Sequence, residues 1–350
     1  MPISPYSPIF TLTRGETVES IHFGGIAVVN EQGRLVASYG DPETVTFLRS
    51  TAKPFQALPF IEAGGAEFFD LSLQEIALIC ASHAGTDEHF AVLQPLQAKT
   101  GVGEGDLHCG IHPPYDKETA EAMRKRGEEP TPNRHNCSGK HTGMLAFCRM
   151  KAWPLEEYLD PDHPVQQAIL QTFAEMCALP IDRVATGVDG CSAPNFAVPL
   201  YNAALSYARL CAPGEFVEHR AVACRTITRA MAAYPGMIAG PNRFDTCLME
   251  TAAGRIVAKG GAEGYQGIGL LPGAIGAGSG ALGIAVKIAD GDPKGRARPA
   301  VTLEMLRQLG ALNEEELAEL AQFGPRTPVH NWRDLVVGEA RPFFELTRHA

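Results

Sequence analysis

The sequence lacks any long run of basic residues. Its longest is Arg124-Lys125-Arg126, and 30 Lys and Arg stand against 40 Asp and Glu for a formal net charge of -10. Such a surface gives a polyanion little to hold, which excludes nucleic acid as a partner. Long apolar runs are missing too. The longest, such as Leu282 to Ile288, fall far short of the roughly 20 residues a membrane helix needs, so no membrane span is expected. The nine cysteines, an odd number, have neither the repeated spacing of a disulfide framework nor that of a zinc ribbon. That usage points to a reducing, cytoplasmic compartment, with Cys80, Cys148 and Cys177 read as small buried hydrophobes. The start, Met1-Pro2-Ile3-Ser4-Pro5-Tyr6-Ser7-Pro8, carries prolines where a secretory leader has a basic stretch and then an apolar one, so it is expected to stay uncleaved. No internal repeat, low-complexity tract or linker is present.

What is there is a globular chain of 350 residues with 45% hydrophobic content, enough for two domains or one large lobed one. The first fifty residues read as strands, with Ile21 to Val29 and Arg34 to Tyr39 joined by the polar turn Asn30-Glu31-Gln32-Gly33 and a further strand over Thr44 to Leu48. Helical signals follow. Ser72-Leu73-Gln74-Glu75 is a capping box, Thr86-Asp87-Glu88-His89 opens a second helix to about Lys99, and apolar residues recur at helical spacing over Pro164 to Ala178 and Glu215 to Ala233. Gly101 to Pro114 and Gly127 to Lys140 read as surface loops. After Pro235, Thr246 to Glu250 and Arg255 to Lys259 read as a hairpin, Gln266 to Leu271 and Ala281 to Ile288 as further strands, and Val301 to Gln322 as a closing helix. The expected fold is therefore α/β. An antiparallel sheet built from both chain ends (1–49 and 236–350) accompanies a mainly helical domain (50–235), with the active site in the cleft between them.

Three stretches suggest acyl-transfer chemistry. In Arg49-Ser50-Thr51-Ala52-Lys53-Pro54, a lysine three positions after a serine can take the hydroxyl proton and make a nucleophile. Pro54 is tolerated in a first helical turn but disfavours helical geometry just before it, so the helix starts at Ser50 or only after Lys53. Ser-x-x-Lys also arises by chance, as a cap and a solvated charge. Here it follows a strand and opens an apolar helix (Phe55, Leu58, Phe60, Ile61). Lys259 ends a strand and is followed by Gly260 and Gly261, which let another group approach the backbone closely. An edge-strand lysine that discourages aggregation is the plainer explanation. Ser82-His83 closes a helix, a place where hydroxyls often satisfy backbone groups. Asn136-Cys137-Ser138-Gly139-Lys140-His141 matches no standard metal spacing, and Asp189-Gly190-Cys191-Ser192-Ala193-Pro194-Asn195 is a turn by composition.

Taken in order, the blocks 48–54, 81–83, 136–141, Gly187-Val188-Asp189-Gly190-Cys191 and Lys259-Gly260-Gly261-Ala262-Glu263-Gly264 resemble the asparaginase II family of the Rhizobium etli type, over nearly the whole chain. The resemblance implies a serine β-lactamase-like fold, a homodimer, and hydrolysis of L-asparagine to L-aspartate and ammonia. It implies Ser50 as nucleophile, Lys53 as its general base, and Ser82 with Lys259 as a second Ser-Lys pair. It also implies zinc held by Cys137, Lys140 and Cys191 in a structural or tuning role, which requires a lysine amine able to shed its proton. Arg49, otherwise a surface residue, and Arg243 are the candidate cations for the substrate α-carboxylate, and Asp189 with His141 the candidate partners of its α-ammonium. Competing readings are a glutaminase or β-lactam-cleaving enzyme on the same nucleophile, a catalytically silent zinc- or amino-acid-binding protein, and a thiol enzyme centred on Cys137. The last would draw its base from His135 or His141.

Overall fold

The computed structural model describes residues 5–349; Met1–Ser4, the first half of the proline-spaced start, lie outside the described residues. The chain forms two compact units. The sheet unit comprises residues up to Thr51 with Val198–Ala212 and Cys247–Ala350; the helical unit comprises Ala52–Ala197 and Pro213–Thr246. The fold class is mixed α/β with an antiparallel sheet drawn from both chain ends, as the sequence leads one to expect. No described helix is long and apolar enough to cross a membrane.

In chain order the strands are β1 (Ser7–Arg14), β2 (Thr17–Asn30), β3 (Leu35–Tyr39), β4 (Val45–Phe47), β5 (Ala185–Val188), β6 (Pro194–Pro199), β7 (Ile256–Gly260), β8 (Tyr265–Leu270), β9 (Leu282–Ile288), β10 (Thr327–His330), β11 (Val336–Pro342) and β12 (Thr347–Arg348). The sheet of the first unit runs β10-β11-β1-β2-β9-β8-β7, with β3 on β2 and β12 on β3. The two chain ends meet where β2 pairs with β9, from Gly24 opposite Ile288 to Asn30 opposite Leu282. Every residue of β9 is buried. A strand lacking the usual alternation must be covered on both faces, and helices Leu200–Cys211 and Ala297–Leu309 both pack on it.

Helix Leu200–Cys211 falls within the stretch whose composition reads as the helical middle, yet it lies on strands. Glycines make this possible. A Cβ at Gly283 would stand 1.8 Å from the Ala204 carbonyl oxygen, one at Gly269 2.3 Å from Cys211 Sγ, and one at Gly267 2.4 Å from the Tyr207 ring. Side-chain-free positions on β8 and β9 therefore form the trough in which the helix lies.

Three local expectations are corrected. Phe244–Thr251 is a helix rather than the first arm of a hairpin. Phe244, Leu248 and Met249 are buried at helical spacing, and Ala253 and Gly254 turn the chain with positive φ before β7. The closing helical segment is split: Ala297–Leu309 ends on Gly310 (φ 74), and a capping box from Asn313 opens Glu314–Glu319. Finally, the end of the Gly127–Lys140 stretch is not surface loop. Asn133, Arg134 and His135 are buried. Arg134 reaches Asp87 at 2.6 Å and lies over the Phe90 ring, and Asn133 exchanges side-chain hydrogen bonds with Gln97. Strands β10, β11 and β12 went unread because few of their residues are buried, so they carry little apolar alternation.

The helical unit has an aromatic core in which Phe55 meets Phe173 edge-on and Phe173 stacks on Phe196 at 4.7 Å. The capping box read from the sequence is present at Ser72 with Glu75, and the helix expected to open at Thr86 does so with a second capping box, closed by His89. Helix Ser138–Lys151 presses on the end of helix Leu73–Ile79. A Cβ at Gly139 would lie 2.2 Å from the Leu78 carbonyl oxygen and one at Gly143 2.6 Å from Ile79 Cγ2. These glycines, one turn apart on a single helix face, set the depth at which Lys140 and His141 lie.

Candidate active site

In the sheet unit, Ser50 sits in a 3-10 turn over Arg49–Ala52, and the α-helix begins at Lys53 with Pro54 in its first turn. This resolves the ambiguity that Pro54 introduces: the serine lies in the tighter turn and the lysine in the first helical position. Arg49 has φ 54, in the left-handed region that residues with a Cβ rarely enter. Thr51 is fully buried, and its N–H and hydroxyl both donate to the Leu48 carbonyl, at 3.2 and 2.8 Å. Against this turn lies the Lys-Gly-Gly stretch. A Cβ at Gly261 would stand 2.7 Å from Leu48 O and 3.2 Å from Thr51 Cγ2. Lys259, buried at the end of β7, donates from Nζ to the Gly260 carbonyl at 2.6 Å. Arg49 pairs loosely with Glu263 at 3.7 Å. The structure thus brings the Ser50 turn together with the Lys259–Gly264 hairpin.

In the helical unit, Lys53 is buried, and its Nζ donates to the carbonyls of Ala81 (2.5 Å) and Asn136 (3.3 Å). The adjoining Ser82 holds its backbone N–H on the Ile238 carbonyl, while its hydroxyl oxygen is buried with no hydrogen-bond partner. A buried hydroxyl left open is uncommon and marks a place where a ligand or water completes the geometry. His83 is different. Its Nδ1 accepts the Gly85 N–H, so Nε2 carries the proton and donates to Ser138 Oγ at 2.9 Å, and Ser138 in turn donates to the Asn133 carbonyl. With both ring nitrogens engaged and burial holding it neutral, His83 is a structural strut.

Around Lys53 lies the second cluster. Cys137 and Cys191 are buried and in hydrogen-bond contact, and Lys140 Nζ donates to Cys191 Sγ at 3.0 Å. The hydrogen bond from Cys191, with the ammonium groups of Lys53 and Lys140, holds the Cys137 thiol well below its ordinary range against the opposing effect of burial. Burial by itself would lower the Lys140 amine; the sulfurs of Cys191 and Cys137 outweigh it and raise it. This is opposite to the lowered amine that metal ligation requires. Among the described residues no group of three or more His, Cys, Asp or Glu is placed to hold a metal.

His141 is completely buried, and burial pushes it down to about 4. Its Nδ1 bonds the Tyr158 hydroxyl at 2.6 Å, while that oxygen accepts the His108 N–H. Tyr158 carries no sequence signal, standing alone in a polar loop. Asp189 is half-buried, with its Oδ1 on the Gly190 N–H and its Oδ2 4.0 Å from Cys191 Sγ. Arg243 is exposed; it, Asp189 and Cys137 lie within electrostatic reach of Tyr115, whose ring stacks on His112 at 4.5 Å. His112 in turn accepts the Asn136 N–H, bracing the residue whose carbonyl holds Lys53.

Similar proteins were sought in three ways. Among solved structures, similarity is found to a probable glutaminase from Bacillus subtilis complexed with 6-diazo-5-oxo-L-norleucine, at 13% identity over 82% of this chain and 83% of that one, TM-score 0.39. It is also found to the covalent complex of the Bacillus subtilis glutaminase YbgJ with 5-oxo-L-norleucine, at 12% identity over 83% and 89%, TM-score 0.38. A search of curated proteins gave no match. The family described as L-asparaginase II matches residues 10–342, nearly the whole chain, and the protein belongs to this family of amidohydrolases.

Proposed function

We propose that the protein hydrolyses L-asparagine to L-aspartate and ammonia through an acyl-enzyme on Ser50. The observation that carries this reading is the continuous stretch Arg49–Lys53: a serine in a strained turn, then a buried lysine whose amine is aimed by two carbonyls. In the proposed reaction Lys53 removes the Ser50 proton and the oxygen attacks the side-chain amide carbon. Backbone N–H groups, that of Ser50 among them, stabilise the oxyanion. Breaking the C–N bond with proton transfer to nitrogen releases ammonia, and water then hydrolyses the β-aspartyl ester. Ser82, with its open hydroxyl, and Lys259 are assigned to proton relay and substrate contact. Arg49 and Arg243 would serve the α-carboxylate, Asp189 and His141 the α-ammonium.

The donor set suits zinc on one condition. Two thiols in mutual contact are soft ligands appropriate to it, and Lys140, 3.0 Å from Cys191 Sγ, supplies the third donor once it gives up its proton. Cys137, Cys191 and Lys140 would hold the ion, which would take up the sulfur charge that faces Lys53 and fix the turn bearing Asp189. A homodimer acting in the cytoplasm completes the proposal. No disulfide joins any of the nine cysteines, which accords with a reducing compartment.

The test is ammonia release from L-asparagine and, in parallel, L-glutamine. One methylene is worth only about 1 to 3 kcal/mol of discrimination, so the two rates must be measured side by side. Activity on asparagine that Ser50→Ala abolishes is the expected result. Preference for glutamine overturns the substrate, and activity surviving the substitution overturns the nucleophile.

A further inference from the structure

We infer that Tyr207 is a positioning residue for the nucleophile, fixing the Thr51–Ala52 peptide that ends the Ser50 turn and standing beside Lys259. The inference rests on the reading of Ser50 as nucleophile and extends it to a residue on an element distant in sequence.

Tyr207 lies in the helix Leu200–Cys211 and is almost completely buried. Its ring occupies the notch left by Gly267. Gly267 pairs directly with Lys259 across β7 and β8, and directly opposed residues of an antiparallel pair project from the same face. The Lys259 side chain therefore leaves the sheet on the face that Tyr207 covers. From this notch the Tyr207 hydroxyl donates to the Thr51 carbonyl at 2.8 Å.

That bond completes the hold on a short turn. At its start, the Leu48 carbonyl accepts from both the N–H and the hydroxyl of Thr51 and abuts Gly261. At its end, the Thr51 carbonyl is held by Tyr207. Ser50 is between them, preceded by Arg49 in the left-handed region. A residue with a Cβ keeps such a conformation only where its surroundings fix it. A phenylalanine would fill the Gly267 notch equally well but has no hydroxyl with which to reach Thr51. A nucleophile displaced by a fraction of an ångström loses near-attack geometry without losing substrate binding.

The experiment compares Tyr207→Phe, Gly267→Ala, Cys211→Ala and Ser50→Ala. Steady-state kinetics on asparagine, rapid-quench measurement of acylation and thermal unfolding are recorded for each. With Ser50→Ala inactive, Tyr207→Phe is expected to lower kcat about tenfold, the scale of one lost hydrogen bond. KM should stay within about twofold, with the loss in acylation, and the stranded Thr51 carbonyl should lower the melting temperature by no more than Cys211→Ala does. Gly267→Ala, which pushes the ring from its notch, should lower kcat in the same way. Cys211→Ala, on the same helix against Gly269, should lower stability and leave kcat intact. A Tyr207→Phe protein with wild-type acylation overturns the inference while leaving Ser50 in place, as does a kcat loss that only tracks melting temperature across the series. Activity retained by Ser50→Ala removes the nucleophile itself and the inference with it.

Discussion

The two units hold their candidate residues by different means. In the sheet unit the Ser50 turn is set by backbone: Gly261 just after β7 and Gly267 on β8 admit close approach, a carbonyl at each end of the turn accepts a hydrogen bond, and one non-glycine residue of the turn has positive φ. In the helical unit the Lys53 amine is set within a buried polar network of carbonyls, thiols and imidazoles. The first arrangement is sensitive to a single added methyl group. The second is sensitive to the protonation of its thiols and imidazoles.

Lys53→Met gives the largest expected effect. It keeps an apolar stem of similar length and removes the amine, so activity should fall by about three to four powers of ten, the scale of a lost general base. It also strands the buried carbonyls of Ala81 and Asn136, which should destabilise the protein by about 1 to 3 kcal/mol. Assay and denaturant titration on one preparation separate the two; wild-type turnover in this variant would remove Lys53 from the mechanism.

Next come matched alanines, one in each unit. A methyl at Gly261 meets the Leu48 carbonyl at 2.7 Å and must shift the Ser50 turn, so kcat should drop about a hundredfold. A methyl at Gly139 meets the Leu78 carbonyl at 2.2 Å, deeper in the helical packing, and should cost about 1 to 3 kcal/mol of stability. If both variants lose activity and stability in the same proportion, the contrast between backbone-set and network-set halves is wrong.

The histidines that burial shifts, His83, His89, His135 and His141, all lie in the helical unit. Burial pushes His89 from 6.5 down to about 4, although its Nε2 bonds the Gly236 carbonyl at 3.1 Å. Between those values the unfolded chain binds a proton that the folded chain does not, so stability rises with pH across this window. It is fully present above about pH 6.5 and lost progressively toward pH 4. The expected loss is on the order of 2 to 3 kcal/mol for this residue, at about 1.4 kcal/mol per pKa unit. Urea midpoints from pH 7 to pH 4 should show it together with the like contributions of His83, His135 and His141, and His89→Gln should make the slope shallower by its own share.

Much of the architecture was legible in periodicity and caps: β2, β3 and β9, the capping boxes at Ser72 and Thr86, and the helix from Pro164 follow local rules that tertiary packing left in place. Phe244–Thr251 was misread because its apolar residues are also compatible with a strand, and only burial against distant partners decides. The candidate residues themselves were visible as motif blocks. Their supports were not: Tyr207 and Tyr158 lie far along the chain from the groups they touch, and neither carries local periodicity that would single it out. The resemblance groups Cys137, Lys140 and Cys191, but it does not reveal that the two sulfurs raise the Lys140 amine, which depends on their distance from it in the fold.

The smallest expected effect concerns Arg49, whose two possible partners pull in opposite directions. Its pairing with Glu263 is loose, at 3.7 Å, and the glutamate side chain is 68% exposed, so the pair itself adds little to stability. If Arg49 receives the substrate carboxylate, Glu263 competes for the same guanidinium. Glu263→Gln should then lower KM for asparagine by about twofold with kcat unchanged, because only ground-state binding is released. A rise in KM instead would mean that Glu263 holds Arg49 in its binding pose, and the left-handed geometry shared by Arg49 (φ 54) and Glu263 (φ 57) would then be one feature. In that case two strained residues on facing turns would be locked by their ion pair, and Arg49→Lys, which lacks the planar fork, would lose binding to the same extent as Glu263→Gln.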